Sequence, residues 1–101
     1  MDAEDEQLPE QFSLDQNYPN PFNPTTTIGF ALPVEQPVRL LVFNILGQQV
    51  RSFDLGLMPA GRGSVIWDGR NANGAPVGSG IYFYRLSTPQ FTETKKMLLL
   101  K

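Results

Sequence analysis

TTIGFAL at residues 26–32 puts Ile28, Phe30 and Leu32 on one parity and Thr27, Gly29 and Ala31 on the other. That period of two belongs to a strand with one buried face, because successive side chains of an extended chain point to opposite sides. Pro33, which has no N–H to give to a ladder, ends the run. Just upstream, NYPNPFNP at residues 17–24 holds three Asn, three Pro and two aromatics in eight positions. Composition alone leaves this stretch between a linker and the first piece of a domain. The alternation that begins at Thr26 places it inside the fold. Each Pro removes a donor and favours extended geometry, which predicts an edge segment with Tyr18 and Phe22 tucked onto the core and Asn side chains closing turns.

Downstream, VRLLVFN (38–44) sets Val38, Leu40 and Val42 on one face but Leu41 and Phe43 on the other. This predicts a central strand covered on both sides. ILG (45–47) reads as a tight turn with glycine supplying a positive φ, and QQVRSFDL as the return strand of a hairpin. Val50 and Phe53 differ in parity, which predicts a bulge or a strand end near Ser52. MPAGRG (58–63) reads as a loop and SVIWD (64–68) as a short strand. DGRNANGAP (68–76) is the densest turn signal, and GIYFYRLS (80–87) is a strand rich in β-branched and aromatic residues. Thr88–Gln90 turns the chain into a last strand, FTETKKMLLLK. Six or seven short strands with no helical period predict an antiparallel immunoglobulin-like β-sandwich.

The 101 residues include no Cys and no His, and carry a formal charge of −2. A chain of this length buries roughly 65% of its unfolded surface, enough for one core. Six of the ten acids fall in the first fifteen residues. This reads as an acidic linker over residues 1–13, with Met1 an expression start on a fragment, and a domain over residues 14–101. No Lys/Arg cluster suggests nucleic acid. No apolar run approaches the ~20 residues of a membrane-spanning helix, and the acidic N-terminus is unlike a signal peptide.

Without His or Cys, acid–base catalysis would rest on shifted carboxylates or a lysine, and Glu35, Asp54, Asp68 and Glu93 form no pair at readable spacing. No enzyme and no cofactor is expected. DGRNANG has the flavour of a calcium loop, but its oxygens fall out of register. Two readings stay open there, a self-bonded turn and a weak calcium site at Asp68 and Asn73. Trp67, Tyr82, Phe83 and Tyr84 are either core or an exposed sugar-binding platform, which solvent exposure of Trp67 and Tyr84 decides. In KKMLLLK the lysines guard a sheet edge, or they and the free chain end are offered to a partner.

Four stretches in order, Asn17–Phe30, Ile45–Val50, Trp67–Leu86 and Lys95–Lys101, resemble the type A C-terminal sorting domain of the type IX secretion system. The matching patterns are NYPNPFNPxTxIxF, ILGxxV, WDGxxxxGxxVxSGxYxYxL and KKMxLxK, over about 85 residues. The chain is also similar to the immunoglobulin-like domain of flagellar hook-capping proteins, which bears on fold and not on function. The sorting-domain resemblance implies a non-catalytic label that carries an upstream passenger from the periplasm through the outer-membrane translocon to the cell surface or medium. It implies recognition by a shuttle component and removal by a sortase-like cysteine peptidase. Gly78, Gly80 and Tyr82 match the glycine-containing motif before the penultimate strand, and Lys95, Lys96 and Lys101 the terminal basic motif. The family has no strong cleavage signature, so the cut is placed by composition, within Leu8–Leu14 and the acidic stretch. Docking is expected through main-chain pairing on the terminal strand and its lysines. The competing reading is an accessory module tethering an enzyme to carbohydrate or to the cell surface.

Overall fold

The computed structural model describes residues 8–101; the acidic residues 2–6, assigned above to a linker, lie outside them. Seven strands are β1 (Ser13–Leu14), β2 (Thr26–Leu32), β3 (Gln36–Phe43), β4 (Gln49–Met58), β5 (Gly61–Trp67), β6 (Gly80–Ser87) and β7 (Thr92–Leu99). They form two antiparallel sheets, ordered β1-β2-β5 and β4-β3-β6-β7. This is the expected immunoglobulin-like sandwich. Ile28, Phe30 and Leu32 face the core as their alternation requires, against Val38, Leu40 and Val42 of the opposite sheet, and all six are at most 1% exposed. Trp67, Tyr84 and Phe22 are the largest fully buried side chains. Each such residue contributes about 1.5–3 kcal/mol of transfer free energy.

The β3–β4 hairpin turns where expected. Gly47 has φ +81°, and Asn44 Oδ1 accepts from the N–H groups of Leu46 and Gln48 at 3.0 Å each. The parity conflict between Val50 and Phe53 has a physical cause. Val42 pairs with Arg51 and Phe43 with Gln49, so Val50 is an extra residue in the ladder. A second shift sets Val38 opposite Gly56 and Arg39 opposite Asp54, which leaves Leu55 extra. An inserted residue reverses parity, and Val50, Phe53 and Leu55 all pack against the core. The strand therefore runs past Ser52 to Met58. MPAGRG shrinks to a two-residue connection, with β5 beginning at Gly61.

The second cover expected over the central strand is not supplied by a layer of the described chain. β3 and β6 each have one face in the core, and the other is the outside of the molecule. Leu41 is nonetheless only 6% exposed. It lies between Ser52 and Arg85 in the ladder, and the Arg85 guanidinium sits 4.7 Å from the centre of the Phe43 ring.

The opening segment is folded, and it joins the two sheets. On one side, Asp15 N–H donates to Gly29 O at 2.9 Å, and Tyr18 exchanges both backbone bonds with Thr27, each 2.9 Å. On the other side it lies along β7. Phe22 N–H donates to Leu98 O and Leu100 N–H to Phe22 O, both at 3.0 Å. Asn20 Oδ1 accepts from Leu98 N–H at 3.0 Å, and Gln16 Nε2 donates to Lys96 O at 2.8 Å. Of the two aromatics expected to tuck inward, Phe22 does, at 1% exposure, while Tyr18 is 79% exposed. Tyr18 is held by its backbone, so its ring is free to face water. Phe22→Ala is accordingly expected to lower unfolding free energy by about 3–5 kcal/mol in urea titrations followed by Trp67 fluorescence. Tyr18→Ala should change it by less than about 0.5 kcal/mol. Equal losses would contradict this reading of the segment.

Candidate functional site

Among the described residues no three of His, Cys, Asp or Glu come together as metal ligands do. Three carboxylates are engaged in ion pairs at the surface instead: Asp15 with Arg62, Asp68 with Arg51 at 3.4 Å and Arg70 at 4.0 Å, Glu93 with Lys95 at 3.5 Å. The calcium candidates separate accordingly. Asp68 faces two guanidinium groups and caps Arg70 N–H at 3.1 Å. Asn73 gives its N–H to Asn71 Oδ1 at 2.9 Å, and Asn71 also receives Ala75 N–H. That is the self-bonded turn, with Asn71 rather than Asn73 as its closing residue.

Nor do the aromatics form a platform for sugar, because Trp67 and Tyr84 are both 0% exposed. The Trp67 ring meets Tyr82 edge-on at 5.4 Å and Phe22 at 5.7 Å, and its Nε1–H donates to Arg70 O at 2.9 Å. A flat sugar-stacking face needs exposed rings, so the tethering reading loses its two named residues.

The residues matched to the sorting motif divide into structural and accessible sets. Tyr82 is buried against Trp67, and its hydroxyl donates to Gly78 O at 2.7 Å, closing the loop that leads into β6. Gly80 enters β6 at φ +148°, a conformation that side-chain-bearing residues rarely adopt. These three positions shape the loop and offer no side chain to a partner. Lys95 and Lys96, adjacent in sequence, point to opposite faces of β7, since Lys95 pairs in register with the buried Tyr84 and Lys96 with the outward Phe83. Lys95 is drawn to Glu93, whereas Lys96 is exposed. Lys101 donates its backbone N–H to Ser79 Oγ at 2.9 Å. It lines a shallow cleft of about 280 Å³ with Asn23, Pro24, Asp68, Arg70 and Pro76. The terminal strand is an edge in sheet order, but residues 16–22 already occupy its outer side over Lys96–Leu100. Main-chain docking of a partner there, expected above, is pre-empted.

One buried hydroxyl ties this arrangement together. Tyr84 Oη accepts from Asn17 N–H at 2.8 Å and donates to Asp15 O at 2.7 Å. Its pKa is pushed up to about 12, first by burial; the Asn17 N–H opposes this, and the Asp15 and Glu93 carboxylates add to it. Burial also raises Tyr82.

The sequence profile described as the FlgD Ig-like domain matches residues 16–90, from the opening segment to the β6–β7 turn. No curated protein sequence matches the chain. Among solved structures, FlgD from P. aeruginosa is similar at 28% identity and a TM-score of 0.60, over 73% of this chain and 57% of that one. PorU from Porphyromonas gingivalis, described as latent and dimeric, is similar at 20% identity and a TM-score of 0.69, over 89% of this chain and 9% of that one. PorZ from the same organism, described as an essential surface component of the type IX secretion system, is similar at 20% identity and a TM-score of 0.62. That match covers 85% of this chain and 11% of PorZ. The chain thus spans little more than half the length of the FlgD structure and a small part of the other two, whose likeness is one of fold.

The phenol shift yields a pH test. The folded chain holds the Tyr84 proton between pH 10 and 12 while the unfolded chain releases it. Its contribution to stability is therefore complete below about pH 10 and lost as pH rises towards 12. Tyr84→Phe is expected to cost about 1–3 kcal/mol at pH 7 by orphaning the Asn17 N–H. Its stability should then decline less steeply than wild type between pH 10 and 12 in urea titrations. An unchanged slope would show that Tyr84 does not hold its proton there.

Proposed function

The chain belongs to the FlgD Ig-like domain family, and from that premise we propose that it is a non-catalytic export label. In this reading it directs an upstream passenger through the outer membrane by the type IX secretion system, passing through the periplasm to the cell surface or medium. The observation that carries the reading is that the four stretches resembling the sorting domain assemble into one sandwich around one core. NYPNPFNP closes the β7 side, NILG closes the β3–β4 hairpin, WDG through GIYFY supplies Trp67, Tyr82 and Tyr84 to the core, and KKMLLLK forms the second part of β7 and the two residues after it. Likeness of fold to part of PorZ supports it further. The partners are a translocon or shuttle component and a sortase-like peptidase, with no cofactor, nucleic acid or sugar.

Cleavage in this reading falls upstream of Phe12. A peptidase binds its substrate extended, but Phe12 is stacked on Phe91 at 5.1 Å, and Ser13 and Leu14 are paired with Ala31 and Phe30. Only residues before Phe12 can enter a protease cleft without unfolding the sandwich.

The test fuses residues 8–101 behind a signal peptide and a fluorescent reporter in a bacterium that has this secretion system. The full fusion is expected on the surface or in the medium. A fusion ending at Asp15 should stay in the periplasm. Any released reporter should carry a C-terminus no further along than Glu10 by mass spectrometry, since the residue after the cut must enter the cleft too. Equal distribution of the two fusions would reject the export role.

A further inference from the structure

The outward residues of the four-stranded sheet can be read row by row from its register. Phe43 lies beside Phe83, and Phe83 beside Lys96; Leu41 lies beside Arg85, and Arg85 beside Thr94. Ile81 lies beside Leu98 in the next row, and Arg39 lies between Asp54 and Ser87 at the far end. A sheet face turned to water is ordinarily polar. Here Phe43, Ile81, Phe83 and Leu98 make a contiguous apolar centre in which every ring and chain is only partly covered. Around it stand Arg39, Arg85 and Lys96, against the single carboxylate, among the described residues, of Asp54.

We propose that this face is a protein-docking surface whose occupant presents an apolar patch flanked by carboxylates. Apolar side chains with arginine among them are the composition of interface centres, and the charge excess sets the sign of the partner's rim. Arg85 now covers Phe43 as a cation over a ring, and a carboxylate on the partner would draw the guanidinium outward and leave the ring to apolar contact. A second copy of the chain would bring three cations against three. A lipid surface would need protruding apolar side chains, whereas Phe43, Ile81, Phe83 and Leu98 are each partly covered by their neighbours. Under the export reading the occupant is a component of the export machinery, and to that extent the proposal rests on that reading. It also moves recognition away from the β7 edge.

The test titrates the full chain with two labelled amphipathic peptides that share a leucine face, one flanked by glutamates and the other by lysines, by fluorescence anisotropy. The glutamate peptide is expected to bind at least tenfold tighter than the lysine peptide and to weaken as salt is raised. Arg85→Glu with Lys96→Glu should lose at least tenfold, and Phe83→Thr should also weaken binding. Thr27→Glu, on the outer face of the other sheet, should not. Equal binding of the two peptides, no binding, self-association of the free chain, or preference for phosphatidylglycerol vesicles would overturn the proposal. The wild-type peptide comparison decides even if a variant fails to fold. In the reporter assay, a wild-type fusion left in the periplasm sinks the export role alone and leaves the peptide result standing. Wild-type export matched by the Arg85→Glu, Lys96→Glu fusion overturns the docking face.

Discussion

Four hydrogen bonds along the outer side of β7, from Gln16, Asn20 and Phe22, decide how this sandwich meets its surroundings. A free strand edge is a template for any other chain, and folded proteins cover or break such edges. Here the cover comes from the same chain, in a segment whose prolines cannot extend the sheet beyond it. Because the segment is also bonded to β2, it clamps one sheet to the other. Asn17 stands at the centre of the clamp, 2% exposed, with its Nδ2 bonded to Thr26 Oγ1 at 2.9 Å and Pro19 O at 3.1 Å. Its N–H meets the Tyr84 hydroxyl, so the buried polar groups of the clamp satisfy one another.

This constraint separates two jobs that the sequence motifs mix. Most motif residues maintain the fold: Tyr82 and Gly78 close a loop, Trp67 fills the core, and Met97 and Leu99 face inward at 1% and 0% exposure. A residue so engaged has nothing left for a partner. Chemistry offered outward belongs to the alternate parity, Phe43, Ile81, Phe83, Arg85 and Lys96. Rigidity serves a label well, since a surface that is already ordered loses little conformational freedom when it is recognised.

Much of the fold was legible because the strand period is short and clean. The alternation of Ile28, Phe30 and Leu32 predicted both strand and buried face, whereas GIYFYRLS predicted a strand but left Tyr82 and Tyr84 between core and surface until their burial decided it. The doubled bulge in β4 was half legible, as a parity conflict at Val50 and Phe53, since one inserted residue is visible in sequence but its place in the ladder is not. Tyr18 and Phe22 could not be told apart by type; only the backbone bonds to Thr27 and Leu98 show which ring turns inward. The clamp on β7 joins residues some 80 positions apart, beyond any local pattern. The outer face, by contrast, was present in the sequence as Leu41 and Phe43. Their parity predicted a cover, and the described chain leaves that place to Arg85 and to whatever docks there.

Amide hydrogen exchange at Phe22, Leu98 and Leu100, measured residue by residue, tests the clamp most directly. These three N–H groups are expected to be protected like those in the β3–β6 ladder, opening only with the whole sandwich. Exchange at the rate of an exposed strand edge would contradict the account, and would return the terminal strand to use by a partner chain.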